Sequence, residues 1–220
     1  MPRAHPRFQF FGGHRARINV TLHQVAAYAA QKIYEQELIN ALVLPRGAAS
    51  LPQLFAVGEL DAITINFPTP QPKAKYAKKR LVHVDHLMLY RPLFAVNATV
   101  TLRPDSKPLR DYALGQFAAA GYDTLWVSDD VRRDHPEHPE TEYECRTREM
   151  GAVVYGICAT PGAKPTDEQL TAGRVQEQSL ACYLPDNLDE LTYVPLGMEE
   201  AVENFRNRAR KGKKRLPQES

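Results

Sequence analysis

Apolar positions along this chain switch between two rhythms. Short apolar runs rich in β-branched residues predict strands over Ala16–Leu22, Ala41–Leu44, Asp61–Phe67, Val96–Leu102, Tyr122–Ser128 and Ala152–Cys158. Between them, apolar residues at helical spacing predict helices. Leu22–Leu38 carries Val25, Ala29 and Ile33 on one stripe, Leu51–Phe55 makes a turn or two, and Leu81–Tyr90 follows. Leu109–Ala120 is a helix ended by Gly121, and Glu142–Met150 a short one. Asp129–Glu140 reads as a polar loop. Strands alternating with helices imply an α/β domain with a largely parallel sheet covered on both faces. After Pro161 glycine, proline and charge rise, with helix-like patches at Thr166–Gln178 and Met198–Lys211. The chain therefore divides into a domain over 1–160 and a charged C-terminal extension over 161–220, partly helical or disordered.

Composition adds limits. The chain has 220 residues, 43% hydrophobic and 25% charged, enough for a sizeable core without staples. A net charge of +2 declares no polyanion partner, but basic residues cluster at Lys73–Arg80 and Arg206–Arg215. Cys145, Cys158 and Cys182 are far apart and odd in number, which reads as reduced thiols in a cytoplasmic protein. No apolar run approaches about 18 residues, so no membrane span is expected. The start, Met1-Pro2-Arg3-Ala4-His5, lacks the apolar segment of a signal peptide.

The densest chemistry follows the strand at Asp61–Phe67. Pro68, Pro70 and Pro72 make a stiff elbow, and Lys73, Lys75, Lys78, Lys79 and Arg80 come directly after it. Proline fixes φ, so side chains there are placed at low entropic cost. In open α/β sheets ligands bind beyond the carboxyl ends of strands, where this elbow lies. A solvated charged face would explain a bare lysine run. The rigid elbow before it favours a strip that meets a phosphate backbone.

Phe67-Pro68-Thr69-Pro70-Gln71-Pro72-Lys73 and the basic run to Leu81 resemble the FPDPWPK signature of bacterial tRNA (guanine-N7)-methyltransferases. Asn40-Ala41-Leu42-Val43-Leu44 looks like that family's strand before the elbow. Arg103-Pro104-Asp105 with Tyr112 looks like its KTD…Y segment. Thr141-Glu142-Tyr143-Glu144, with Gly151 and Val154-Tyr155, is similar to its TEYE ending, and His5-Pro6…Phe10-Phe11-Gly12 to its NP…FIG. The similarity runs in order from about Pro6 to Ile157. It implies a Rossmann-like class I methyltransferase sheet, S-adenosyl-L-methionine as cofactor, and tRNA as substrate, methylated at N7 of a variable-loop guanine. By the same resemblance Lys73 contacts the guanine or its phosphate. Lys75, Lys78, Lys79 and Arg80 form an RNA-contacting strip. Asp105 hydrogen-bonds the base edge, and Thr141, Glu142, Tyr143 and Glu144 close the guanine pocket. Read as residues alone, Asp105 also fits a helix N-cap, and Thr141 with Glu144 a capping box.

This chain departs from the family's pattern on the cofactor side. The E-x-G-x-G loop after the first strand is absent, and Gly12-Gly13 falls after its place. Asn19 or His14 stands where the ribose-holding acid belongs, and Arg46 or Gly47 where the adenine-side acid belongs. Thr69 takes the position of the catalytic aspartate, and Gln71 that of the tryptophan. Asn19, Arg46 and Thr69 are the cofactor-binding candidates that remain. Without a first strand, the second and fourth would lose a shared neighbour and expose unpaired backbone groups. An upstream segment, a partner chain, or a closed-up sheet would each answer that. Beside the enzyme stand two other readings: a catalytically inactive RNA-binding homologue, and a subunit that completes a partner's sheet.

Other motifs carry less. His83-x-x-His86 and His135-x-x-His138, with Asp85 and Asp134, invite a metal reading. No third cluster with ligand spacing joins them, and surface or loop histidine is the expectation. Trp126 follows a helix inside an apolar strand and reads as core. The Arg206–Arg215 patch reads equally as extra RNA affinity or as a solvated helix face.

Overall fold

The structure, a computed structural model, describes residues 7–9, 17–20, 23–188 and 191–213. His5, Pro6, Phe10 to His14 and residues 214–220 lie outside the described residues. The elements run β1 (Arg7–Gln9), β2 (Arg17–Val20), α1 (His23–Glu35), β3 (Ala41–Leu44), α2 (Leu51–Leu54) and β4 (Leu60–Asn66). Then come α3 (Val84–Tyr90), β5 (Phe94–Arg103), α4 (Lys107–Ala119), β6 (Tyr122–Ser128) and α5 (Val131–Asp134). The chain continues through α6 (Glu142–Arg148), β7 (Gly156–Pro161), α7 (Asp167–Val175) and α8 (Glu199–Lys213).

β4 and β5 carry alternating apolar residues, as half-buried strands must. Their parallel pairing sets Ile63 against Val100 and Ile65 against Leu102, and all four side chains are fully buried. The five-stranded sheet runs in the order β1-β4-β5-β7-β6. Among the described pairs of this sheet only β4 and β5 are parallel; β7 lies antiparallel to both β5 and β6. The expectation of a largely parallel sheet is corrected here, and the cause is local. The Tyr155 amide donates to the Pro104 carbonyl at 2.9 Å, just past the end of β5. A strand entering at that end can only run back along its neighbour.

The missing shared neighbour is resolved differently from any simple gap. β2 and β3 pair parallel with each other in a separate two-stranded sheet. β1 lies antiparallel on the outer edge of β4, with Arg7 opposite Asn66 and Gln9 opposite Thr64. The backbone groups of β4 that lacked a partner are covered in this way.

The core joins the inner face of the sheet to α3 and α4, through Val84, Leu87, Tyr90, Leu109, Tyr112 and Phe117. Leu180, Leu184, Leu188, Met198 and Val202 belong to the same cluster. The extension after residue 160 is thus continuous with the domain it follows, through a shared core up to Val202. Leu180 is fully buried. Leu180→Ala is expected to destabilise the protein by about 2–5 kcal/mol. Chemical denaturation should show one cooperative transition for both forms. A separate low-denaturant phase confined to the extension would contradict the shared core.

Candidate functional site

Because β4 and β5 are parallel and in register at Asn66 and Arg103, their carboxyl ends finish side by side. The proline elbow leaves one end and Asp105 follows the other. The elbow is bent through left-handed backbone at Phe67 (φ 47°) and Gln71 (φ 53°). For non-glycine residues each such conformation costs roughly 1–2 kcal/mol. The Phe67 amide donates to the Arg103 carbonyl at 2.8 Å, which ties the first bend to β5.

Arg80 holds the second bend. Its Nε lies 3.2 Å from the carbonyl oxygens of Pro70 and Gln71, and its Nη2 donates to Gln71 at 2.8 Å and to Gln178 at 2.6 Å. The guanidinium also lies over the Tyr112 ring, 4.4 Å from its centre. A proline-rich bend has carbonyls but few N–H groups to answer them. A buried guanidinium supplies donors in a fixed fork. Burial pulls its pKa below the usual arginine value. Arg80 was expected on the RNA-contacting strip. With 1% of its surface exposed it cannot reach RNA, and it is the pin of the elbow instead.

Its neighbours do face outward. Lys73, Lys75, Lys78 and Lys79 are exposed along the 3-10 turn Ala74–Lys79. The Lys75 and Lys79 ammonium groups lie 5.0 and 4.8 Å from the centre of the Tyr76 ring, in cation–π range of it. Lys73 Nζ pairs with Glu200 Oε1 at 2.7 Å.

Asp105 sits under this rim, 6% exposed. The hydroxyls of Tyr143 and Tyr193 donate to its Oδ2 at 3.0 and 3.2 Å. Burial raises its pKa, and the hydroxyls act against that rise. Tyr193 is itself pushed up to about 12, first by burial and then by the Asp105 charge. The helix-cap alternative for Asp105 is filled by Ser106, whose Oγ accepts from the Leu109 amide at 3.3 Å. The Tyr143 ring packs on Phe67, centre to centre 4.8 Å, so the elbow, the β5 terminus and α6 converge at one place.

The rest of the expected guanine pocket is divided. Thr141 caps α6 by accepting from the Glu144 amide at 3.1 Å. Glu142 is exposed. Glu144 is 1% exposed, with its carboxylate clamped by Arg103 at 2.7 Å and by Arg132 at 2.7 and 3.1 Å. A carboxylate so enclosed fixes α6 against β5, and the cleft it lines, with Arg132, Arg133 and Arg148, does not include Asp105 or Tyr143. Tyr143 is the member of the TEYE run that reaches Asp105. The arginine partners of Glu144 are 41 and 12 residues away in sequence, a signal no local motif carries.

The cofactor candidates lie on two sheets. Asn19 lies in β2 opposite Val43, and Arg46 is exposed just after β3, its amide donating to the Leu44 carbonyl at 2.9 Å. Thr69 is half-buried on the elbow of the other sheet. β3 runs out into Pro45, Arg46 and Gly47, with no carboxylate there to hold a ribose or an adenine edge. S-adenosylmethionine, the methyl donor of the family's pattern, would therefore be held here without that pattern's acids among the described residues. Among the three candidates, Thr69 is the one on the elbow beside the lysine turn.

The histidines are placed separately. His83 is buried, not on the surface, and its Nδ1 accepts from the Asp85 amide at 3.2 Å as the cap of α3. His135 and His138 lie on the expected loop, near Glu137 at 3.3 and 4.0 Å. Trp126 is half-buried and stacks on His135, centre to centre 4.0 Å, where core was expected.

A family model described as "Putative methyltransferase" matches residues 5–157. The tRNA (guanine-N(7)-)-methyltransferase of Macrococcus caseolyticus is 30% identical over 152 residues, covering 69% of this chain and 70% of the relative. That of Exiguobacterium sibiricum is 33% identical over 137 residues, covering 62% and 64%. That of Streptococcus equi subsp. zooepidemicus is 31% identical, covering 62% and 65%. The chain thus spans just under two thirds of the length of the last two. A solved geranyl diphosphate methyltransferase in complex with SAM superposes over 67% of this chain and 69% of its own, at 12% identity and a TM-score of 0.45.

Two measurements check the site. Arg80→Met keeps volume but leaves the elbow carbonyls unanswered, and should cost about 3 kcal/mol of stability in urea unfolding. A loss under about 1 kcal/mol would show that the prolines hold the bend alone. Asp105 has a folded pKa above its ordinary value. Its contribution to stability is therefore full at acid pH, below that ordinary value, and is lost as pH rises through the raised one. At pH 7 Asp105→Asn should leave Tm unchanged or about 2 °C higher. A marked fall would mean that the charged carboxylate supports the fold.

Proposed function

Because this chain belongs to the family whose curated members are tRNA (guanine-N(7)-)-methyltransferases, we propose that it transfers a methyl group from S-adenosylmethionine to N7 of a guanine in tRNA. The observation that carries the reading is the convergence of Phe67, Asp105 and Tyr143 beside an exposed lysine strip at the ends of two parallel strands. N7 of guanine already carries a lone pair, so no group need remove a proton before attack. The chain's task is to align the base and exclude water. A carboxylate at Asp105 suits the N1–H and N2–H donors of guanine, which adenine lacks in that pattern. Lys75, Lys78 and Lys79 suit backbone phosphates, which supply affinity without sequence. Thr69, on the elbow, is the residue we assign to the methyl donor.

No helix of the described residues is long and apolar enough to cross a membrane. With tRNA as substrate and free thiols at Cys145, Cys158 and Cys182, we place the protein in the cytoplasm. A second reading is a homologue that binds RNA without catalysis. Thr69, Gln71 and Arg46, standing where the family's motif has charged or aromatic groups, favour it. A sheet-completing subunit is the weaker rival, because β1 already covers the β4 edge.

Incubation with S-adenosylmethionine and unmodified tRNA, followed by nucleoside mass spectrometry, should reveal 7-methylguanosine. Absence of cofactor heat at millimolar ligand, with tRNA still bound, would turn the assignment to the second reading. Lys75, Lys78 and Lys79 changed together to Ala should weaken tRNA binding about tenfold or more near 0.1 M salt. The salt-dependence slope should become shallower by about 2–3. Unchanged affinity and slope would remove the lysine strip from the interface.

A further inference from the structure

The family match ends at residue 157, yet the two groups best suited to guanylate are both already occupied by side chains from beyond it. The Tyr193 hydroxyl donates to Asp105, and the Glu200 carboxylate pairs with Lys73. The path between them crosses the elbow. Gly197, at φ +92°, passes so close that a Cβ built on it would lie 3.8 Å from Pro70 Cδ and Thr69 Cγ2. The segment is fastened on both sides. Upstream, the Leu180 amide donates to Pro72 and the Gln178 carbonyl accepts from Arg80. Within the segment Met198, and downstream Val202, are in the core.

The chemistry of these contacts is that of the substrate. A phenolic O–H meets the carboxylate as a guanine N–H would, and a carboxylate meets the ammonium as a phosphate oxygen would. We propose that Tyr193 to Glu200 form a built-in pseudosubstrate, which an RNA must displace from Asp105 and Lys73 before it binds. This inference rests on the reading of Asp105 and Lys73 as substrate groups.

Displacement needs only the Tyr193 and Glu200 side chains to swing away, while Met198 stays in the core. The Lys73–Glu200 pair is open to solvent, 48% and 66% exposed, and such pairs are weak and salt-screened. A polyanion that releases counterions outcompetes a single carboxylate there. Asp105 is a different matter, since at 6% exposure no base reaches it while Tyr193 stays in place. An RNA that supplies phosphate alone therefore opens half of the latch. A guanine that replaces the Tyr193 hydroxyl opens the other half. The segment thus acts as a filter against RNA lacking a correctly placed guanine.

The test is tRNA binding by the full chain at fixed salt. Tyr193→Phe with Glu200→Gln should bind about tenfold more tightly than wild type, and Glu200→Gln alone about threefold. Glu203→Gln removes an equal charge from an exposed position on the same helix and serves as the control. The gain from Glu200→Gln should vanish in a Lys73→Ala background. In wild type, saturating tRNA should speed hydrogen exchange of amides 191–200. Affinity no tighter than the Glu203→Gln control, or exchange in that segment slowed or unchanged by tRNA, overturns the proposal and leaves the function reading intact. Failure of wild type and the double variant alike to bind tRNA overturns both.

Discussion

A buried guanidinium with no carboxylate partner among the described residues organises the functional end of this molecule. Arg80 answers the carbonyls of Pro70 and Gln71 and reaches across to Gln178. The prolines that stiffen the elbow also strip it of donors, so the bend needs a donor from elsewhere. Placing that donor at the end of a lysine run has a second effect. Once Arg80 turns inward against Tyr112, the turn Ala74–Lys79 is held with its lysines outward. One interaction therefore shapes the elbow, orients the cationic strip and docks the C-terminal segment.

Charge is sorted by depth around this pin. Arg80, Arg103 and Glu144 are buried and act on the fold, joining the elbow, β5 and α6. The lysines are exposed and free of that work, except that Lys73 meets Glu200. Asp105 stands between the two classes. It is buried like the structural groups, but its partners are tyrosine hydroxyls rather than arginines. A buried carboxylate whose partners are neutral hydroxyls is the kind of group proposed above to meet the base.

Much of this was legible in the residues. Ala41–Leu44 and Tyr122–Ser128 appear with the boundaries that their apolar runs announce, because flanking turn residues leave no room for longer strands. Thr141 shows its cap, since capping is decided within three residues. The direction of β7 was not legible, because it follows from a single tether between Tyr155 and Pro104. Nor was the inward turn of Arg80, since a run of Lys-Lys-Arg shows charge and not depth. Tyr193 lies 88 residues from Asp105, in a stretch whose composition suggests a loose tail. Leu180, Leu184, Leu188, Met198 and Val202, with partly buried neighbours such as Leu191 and Val194, join that stretch to the core.

The most direct measurement is photo-crosslinking of tRNA carrying 6-thioguanosine to the full chain, with the attachment sites mapped by mass spectrometry. Adducts concentrated in Phe67–Lys79 and at Tyr143 are the expected result, since those residues frame Asp105. Adducts confined to α1 or to the exposed side chains of Val96 and Leu125 would place the nucleic acid away from the ends of β4 and β5 and contradict the elbow as its seat.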